Sequence, residues 1–201
     1  MDKQVIITIG REYGCGGLII AKDIAEHYKI PLYDKNILEA VAAEKGISAE
    51  VFEAYSEKPR NKFLSRNVRG QISSIEHHVA EMQFEYLRER AESGESFVVL
   101  GRCAEEVLKD YPGLIKLFIL ADADFKLNHV MTKFNLSEPA AEAQIKKFNK
   151  QRKLYHNSYC DFKWGDSRSY DLTINSSRLG LNGTLKTLID YIDTRIETMD
   201  F

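Results

Sequence analysis

Residues 96–100, SFVVL, form a run with no polar face. Water tolerates such a run only as a strand covered on both sides, so the rest of the chain must supply helices for two faces of a sheet. Further strand-sized segments lie at 5–9 (VIITI), 31–33 behind Pro31, 114–120 and 172–174. Pro31 blocks continuation of the helix before it. Apolar residues at helical spacing predict helices over 17–28, 36–44, 49–56, 72–93, 104–109, 124–134 and 183–198. Ser137, followed by Glu138 and Pro139, caps one more. Strands alternating with helices predict an α/β domain, a five-stranded parallel sheet with helices on both faces. The stretch 35–95 is far longer than a crossover requires and reads as a helical lobe inserted into one domain spanning 1–201.

Composition limits what this domain acts on. Of 201 residues, 44% are hydrophobic, enough for a buried core, and 29% are charged with a net charge of −2. No global positive field is available for a nucleic-acid polymer. The apolar runs are too short to span a bilayer, and the apolar part of MDKQVIITIG is too short for a secretory signal. Three cysteines, Cys15, Cys103 and Cys160, stand far apart without a CxxC pair, as in a reduced cytoplasmic protein.

Near-neutrality hides two basic concentrations. Lys58, Arg60, Lys62, Arg66 and Arg69 fall within a dozen residues beside Glu57. Lys146, Lys147, Lys150, Arg152 and Lys153 lie in a stretch, 143–160, that contains no acid. Both are read equally well as solvated helix faces or as anion sites, because both follow strand ends where open α/β sheets bind ligands. Two such clusters around one cleft suit a substrate with several phosphates.

The first strand runs into GREYGCGG (10–17), a glycine-bearing turn that opens a helix. That arrangement turns backbone N–H groups and the partial positive charge of a helix N-terminus toward an anion. The usual phosphate loop is GxxxxGK followed by Ser or Thr. With Gly16 as the second glycine, Gly17 stands at the lysine and Leu18 or Ile19 where a magnesium-binding hydroxyl belongs. A plain structural turn is the competing reading. Arg11, or Lys22 one helical turn on, would supply the missing positive charge.

VIITIGREYGCGGLIIAKDIAEHYKIPLYD, FVVLGRCAEEVL (97–108), IKLFILADADFKLNHVM (115–131) and WGDSRSYDLTINSSRLGL (164–181) together resemble the cytidylate kinase-like family, a branch of the P-loop nucleoside monophosphate kinases. The resemblance runs in order across nearly the whole chain. It implies a three-layer P-loop kinase fold with a helical monophosphate-binding insert at 35–95 and a basic lid at 135–165. It implies ATP and Mg2+ as cofactors and nucleotide substrates such as CMP or dCMP. In that frame Gly14, Cys15, Gly16, Gly17 and Leu18 hold ATP phosphates, while Arg11 and Arg152 are catalytic, Arg152 bridging donor and acceptor from the lid. Asp34, Arg60, Arg66 and Arg102 hold the acceptor, and Asn175, Ser176 and Ser177 lie toward the base. Cys103 departs from the pattern, taking the place of an aspartate, and Lys126 and His129 stand where arginines are usual.

Other residues carry blander readings. His77 and His78 face different ways on one helix and lack a third metal ligand; no metal set can be read. His27, His129 and His156 read as surface residues. Cys15 is the one thiol with a claim to reactivity, since a helix N-terminus lowers a thiol pKa, against a packing role. Tyr33, Tyr55 and Tyr86 read as core rather than base-stacking residues, and Trp164 as structural. Ile75, Val79, Met82, Tyr86 and Leu87 read as core rather than as a seam between copies, with monomer and homodimer both open. Two other functions stand beside the monophosphate kinase: a non-catalytic nucleotide binder or sensor, and a kinase of another small metabolite.

Overall fold

Strand β1 (Ile6–Arg11) runs through the centre of the sheet, and its side chains are buried on both faces until Arg11. The computed structural model describes residues 3–55, 57–58, 67–68, 71–72 and 75–199. After β1 come α1 (Gly17–Tyr28), β2 (Leu32–Tyr33), α2 (Lys35–Glu44), α3 (Ala49–Tyr55), β3 (Asn67–Val68), β4 (Gln71–Ile72) and α4 (Ile75–Glu92). Then follow β5 (Phe97–Leu100), α5 (Ala104–Val107), β6 (Leu114–Leu120), α6 (Ala123–Phe134), α7 (Glu138–Tyr159), β7 (Leu172–Asn175) and α8 (Ser176–Thr198). The main sheet is wholly parallel in the order β2-β5-β1-β6-β7, with Ile6 of β1 level with both Phe97 and Leu114.

Because strand side chains alternate, the two faces of the sheet build separate cores. Val5, Ile7 and Ile9 pack with Ile20 and Ile24 of α1 and Leu188 and Ile192 of α8. Ile6 and Phe97 pack on the other face with Leu87 and Ala91 of α4 and Leu108. The apolar run at 96–100 supplies β5, the strand directly beside β1, and its four residues Phe97–Leu100 are all buried. Between β2 and β5, α2, α3 and α4 assemble a third cluster around Leu38, Ala42, Phe52, Val79 and Met82. Tyr33 packs edge-on against Tyr86, 5.4 Å between ring centres, in the core role read for it, and Trp164 packs edge-on against Phe118.

Three boundaries differ from the sequence reading. Helix α4 starts at Ile75, not 72, because Gln71 and Ile72 pair antiparallel with Asn67 and Val68 in a hairpin that periodicity did not reveal. Helix α5 is a single turn ending at Val107. Helix α8 begins seven residues earlier than expected: the Asn175 side chain accepts the Ser177 N–H, and the helix then breaks at Gly180 (φ 66°) before resuming.

His156 corrects a further expectation. Read as a surface residue, it is 3% exposed and its Nε2 lies 3.1 Å from Glu105 Oε1, joining α7 to α5. Burial alone would lower its pKa, but hydrogen bonds to Cys160 and Glu105 and the Glu105 charge win and lift it to about 10. A base raised above its ordinary value of 6.5 stabilises the fold fully below pH 6.5, and that contribution is lost as pH rises toward about 10. Thermal melts should therefore show wild type losing stability from pH 6.5 to 10. His156→Asn should be less stable by on the order of 3 kcal/mol at pH 7 and should flatten that slope.

Candidate active site

Residues 12–16 leave β1 and turn into α1 with Gly14 at φ 86° and Gly16 at φ 81°, conformations that a side chain rarely adopts. Gly16 has a second constraint, since a Cβ there would stand 2.3 Å from Leu181 Cδ2. The turn and the first residues of α1 line a cavity of about 320 Å³, together with Asp34, Lys35, Glu57, His129, Lys133, Phe148 and Arg152. Gly14, Gly16, Gly17 and Leu18 all line it. The Cys15 side chain does not: it is fully buried, and burial pushes its thiol up to about 11 despite the arginines near it. Packing, not reactivity, is its role.

Arg11 and Arg152 line this cavity, and a third guanidinium, that of Arg102, joins them from outside its lining. Arg11 ends β1, Arg102 follows β5, and Arg152 projects from α7. All three turn to one carboxylate, that of Glu57: Arg102 Nη1 at 3.6 Å, Arg11 Nη2 at 3.9 Å and Arg152 Nε at 3.9 Å. These are ion-pair distances, longer than hydrogen bonds. Arg152 Nε is buried and has no hydrogen-bond partner among the described residues, while its Nη1 donates to the Arg11 carbonyl at 3.3 Å. Burial and then the charge of Arg152 pull Arg11 down to about 9, so the positive charges repel one another more than Glu57 offsets. Burial opposes the Glu57 charge, yet Arg102, Arg11 and Arg152 hold its pKa down at about 2. Such a cluster favours a further anion with short, forked contacts.

The backbone around Arg102 is shaped for this. Gly101, Arg102 and Cys103 are left-handed in succession (φ 77°, 65° and 53°), which turns Arg102 inward, 3% exposed. A Cβ on Gly101 would lie 2.0 Å from Arg11 Nη1. Arg11 also fills the place opened by the loop's other departure, because a Cβ on Gly17 would meet Arg11 Cβ at 3.0 Å. Arg11 therefore leaves no room for a side chain at Gly17.

The long helix α7 is fastened to the turn through Tyr13. The Tyr13 N–H donates to Asn149 Oδ1 at 2.7 Å, its hydroxyl accepts from Gln144 Nε2 at 2.6 Å, and its ring stacks on Phe148 at 4.6 Å. Lys126 Nζ donates to Glu12 at 2.5 Å. Asn175, Ser176 and Ser177 lie outside the cavity lining. Ser176 Oγ donates to the Cys15 carbonyl at 2.8 Å, and Asn175 Nδ2 to Asp122 Oδ1 at 2.8 Å. Arg60 and Arg66 fall outside the described residues. Sequence reasoning missed Glu57, seen only as the acid in a basic run, and Tyr13; neither carried a spacing signal. Lys22, the alternative source of charge, is exposed.

A parallel sheet with a glycine turn at the end of its central strand, facing a buried arginine cluster, defines a three-layer P-loop kinase fold. Within that class the chain belongs to the cytidylate kinase-like family, whose model matches residues 6–178. It is 28% identical to a cytidylate kinase of Pyrococcus horikoshii, over 94% of this chain and 91% of that one, and 22% identical to a cytidylate kinase of Pyrobaculum islandicum, over 95% and 94%. A solved structure of an uncharacterized protein from Eubacterium ventriosum is 40% identical, with a TM-score of 0.76 over 94% of this chain and 99% of that one. A shikimate kinase from Bacteroides thetaiotaomicron shares the fold at 15% identity, TM-score 0.54, over 94% and 98%. Family and fold together support a kinase of a nucleotide or other small metabolite. No helix among the described residues is long and apolar enough to cross a membrane.

Two substitutions test the cluster. Gly101→Ala should displace Arg11 and weaken inorganic phosphate binding about tenfold by calorimetry, with a melting shift of only a few degrees. Glu57→Gln removes the competing carboxylate and should tighten phosphate binding, again about tenfold.

Proposed function

We propose that this protein transfers the γ-phosphoryl group of ATP to a nucleoside monophosphate, CMP or dCMP being the first acceptors to try. The observation that supports this most is the meeting of Arg11, Arg102 and Arg152 beside the glycine turn. Phosphoryl transfer asks a protein for positioning and charge neutralisation rather than covalent chemistry, and a buried set of guanidiniums supplies both.

In this reading, Gly14, Gly16, Gly17 and Leu18 present the loop backbone and the α1 N-terminus to the ATP phosphates, and Arg11 does the work of the loop lysine. Arg102 and Asp34 hold the acceptor side, with Arg60 and Arg66 of the 35–95 insert. Arg152 lies between donor and acceptor, and α7, within the 135–165 lid, excludes water when it is seated on Tyr13. Glu57 holds the three arginines apart and gives way to phosphate oxygens. Asn175, Ser176 and Ser177 act at the base side by fixing the corner of the sheet behind the turn. A magnesium ion carried on nucleotide phosphates needs only one or two protein carboxylates. Asp34 and Glu12 line the cavity and would hold it, while Leu18 offers it no oxygen. The ion would neutralise phosphate charge. Action on free nucleotides places the protein in the cytoplasm.

A second reading, a kinase of another small metabolite, draws on the same anion site with a different acceptor lobe. Labelled ATP with magnesium, offered to a panel of nucleoside monophosphates, nucleosides and hydroxylated acids, separates the two. Transfer to a pyrimidine monophosphate is expected; transfer only to a non-nucleotide alcohol sinks the monophosphate assignment. Arg152→Ala should lower turnover by about a thousandfold while ATP binding changes little, the signature of a group that acts in the transition state. Equal losses in binding and turnover would remove that role.

A further inference from the structure

The second thiol-bearing region of the molecule lies outside the cavity lining, where the end of α7 meets the loop after β5. Cys103 packs there with Ala80, Phe84 and Tyr155, and Cys160, the residue that ends α7, packs against the same group with Tyr159. Cys103 and Cys160 share this cluster, and the Cys160 N–H donates to the carbonyl of His156, one helical turn earlier, at 2.9 Å. His156 Nε2 in turn rests on the buried Glu105, which also accepts from the Tyr170 hydroxyl at 3.4 Å. Cys103 is 2% exposed, whereas Cys160 is only partly buried and open to a small reagent. None of these side chains has a part in the proposed phosphoryl transfer. Among the described residues they do not form a group of three that would hold a metal ion.

From this arrangement we infer that Cys160 and Cys103 are a peroxide-reactive dithiol: a hydroperoxide oxidises Cys160, and Cys103 resolves the product to a disulfide fastening the end of α7 to the Arg102 loop. The division of labour follows from the surroundings. Cys103, and then His156, favour the Cys160 thiolate against its burial, whereas burial drives the Cys103 thiol the other way. His156 itself faces Asn157 Oδ1 with Nδ1, at 3.4 Å, and Glu105 Oε1 with Nε2, at 3.1 Å. A partly exposed thiol favoured as thiolate, with a second thiol in the same cluster, is the setting of redox-active cysteines.

In the first step the Cys160 sulfur attacks the terminal peroxide oxygen. An S–O bond forms, the O–O bond breaks, and the alkoxide or hydroxide leaves with a proton taken from water, giving a sulfenic acid. In the second the Cys103 sulfur attacks Cys160. The S–S bond forms, the S–O bond breaks, and hydroxide leaves as water with the Cys103 proton. Two thiols lose two electrons, and the peroxide becomes an alcohol or water plus a second water. The disulfide would join the segments that carry Arg102 and Arg152, so it would hold α7 in place over the cavity. That last consequence rests on the proposed kinase reading; the thiol chemistry does not.

The test uses the reduced full-length chain treated with hydrogen peroxide and then digested for mass mapping. Expected is a monomer lighter by two hydrogens, with one disulfide joining the Cys103 and Cys160 peptides, Cys15 still free, and full reversal by dithiothreitol. Cys103→Ser should stop at a sulfenic acid on Cys160, captured by dimedone. Cys160→Ser should slow the loss of the remaining thiols by about tenfold or more. Survival of all three thiols overturns the proposal, and so does a bridge that includes Cys15. Oxidation of wild-type Cys160 past the sulfenic acid without a bridge does the same. The wild-type map decides the matter even if either variant fails to fold, and it is read without any kinase assay.

Discussion

Like charges buried at close quarters repel, and the site of this protein is arranged around that repulsion. Arg11, Arg102 and Arg152 come from three elements far apart in the chain, yet they share Glu57 inside a water-poor cleft. Desolvation makes each guanidinium costly and each neighbouring guanidinium makes it costlier, which is why Arg11 lies so far below its ordinary value. A single carboxylate at ion-pair rather than hydrogen-bond distance relieves part of this and no more. The fold therefore holds positive charge that Glu57 only partly offsets, and local stability depends on that balance.

Holding those charges in place explains features that otherwise look incidental. Three consecutive left-handed residues after β5 are unfavourable by themselves, but they turn Arg102 inward while Cys103 starts the next short helix. Gly101 is bare because Arg11 passes over it, and Gly17 because the Arg11 stem lies against it. Tyr13 and Glu12 then bind the turn to α7 and α6, so the loop and the helix carrying Arg152 are a single mechanical unit.

Much of the frame was legible in the sequence because hydrophobic periodicity is a local signal. The unbroken run at 97–100, the β-branched start and Pro31 located the strands, and the glycines located the turn. Arg11 and Arg152 were found by motif, and the cavity contains both. What stayed hidden depends on contacts between distant residues. Glu57 looked like the exception in a basic run, since nothing local says that it meets arginines 46 positions before it and 45 and 95 after it. His156 looked like a polar residue on a charged helix because its partner, Glu105, belongs to a different element. The hairpin before α4 was missed because two residues per strand are too few to show alternation.

The same reasoning explains why the Cys15 thiol packs rather than ionises. A helix N-terminus lowers a thiol pKa only when water or a charge partner can reach the sulfur, and at Cys15 the apolar core closes first. Cys160 has the opposite balance. It lies at a helix C-terminus, which by itself disfavours a thiolate, but it is partly open, and its neighbours Cys103 and His156 favour the thiolate against burial. Near neighbours outweigh the end-of-helix field because they act at short range and the field acts across a turn. Thiol reactivity in this fold is thus set by who touches the sulfur, not by its place in a motif.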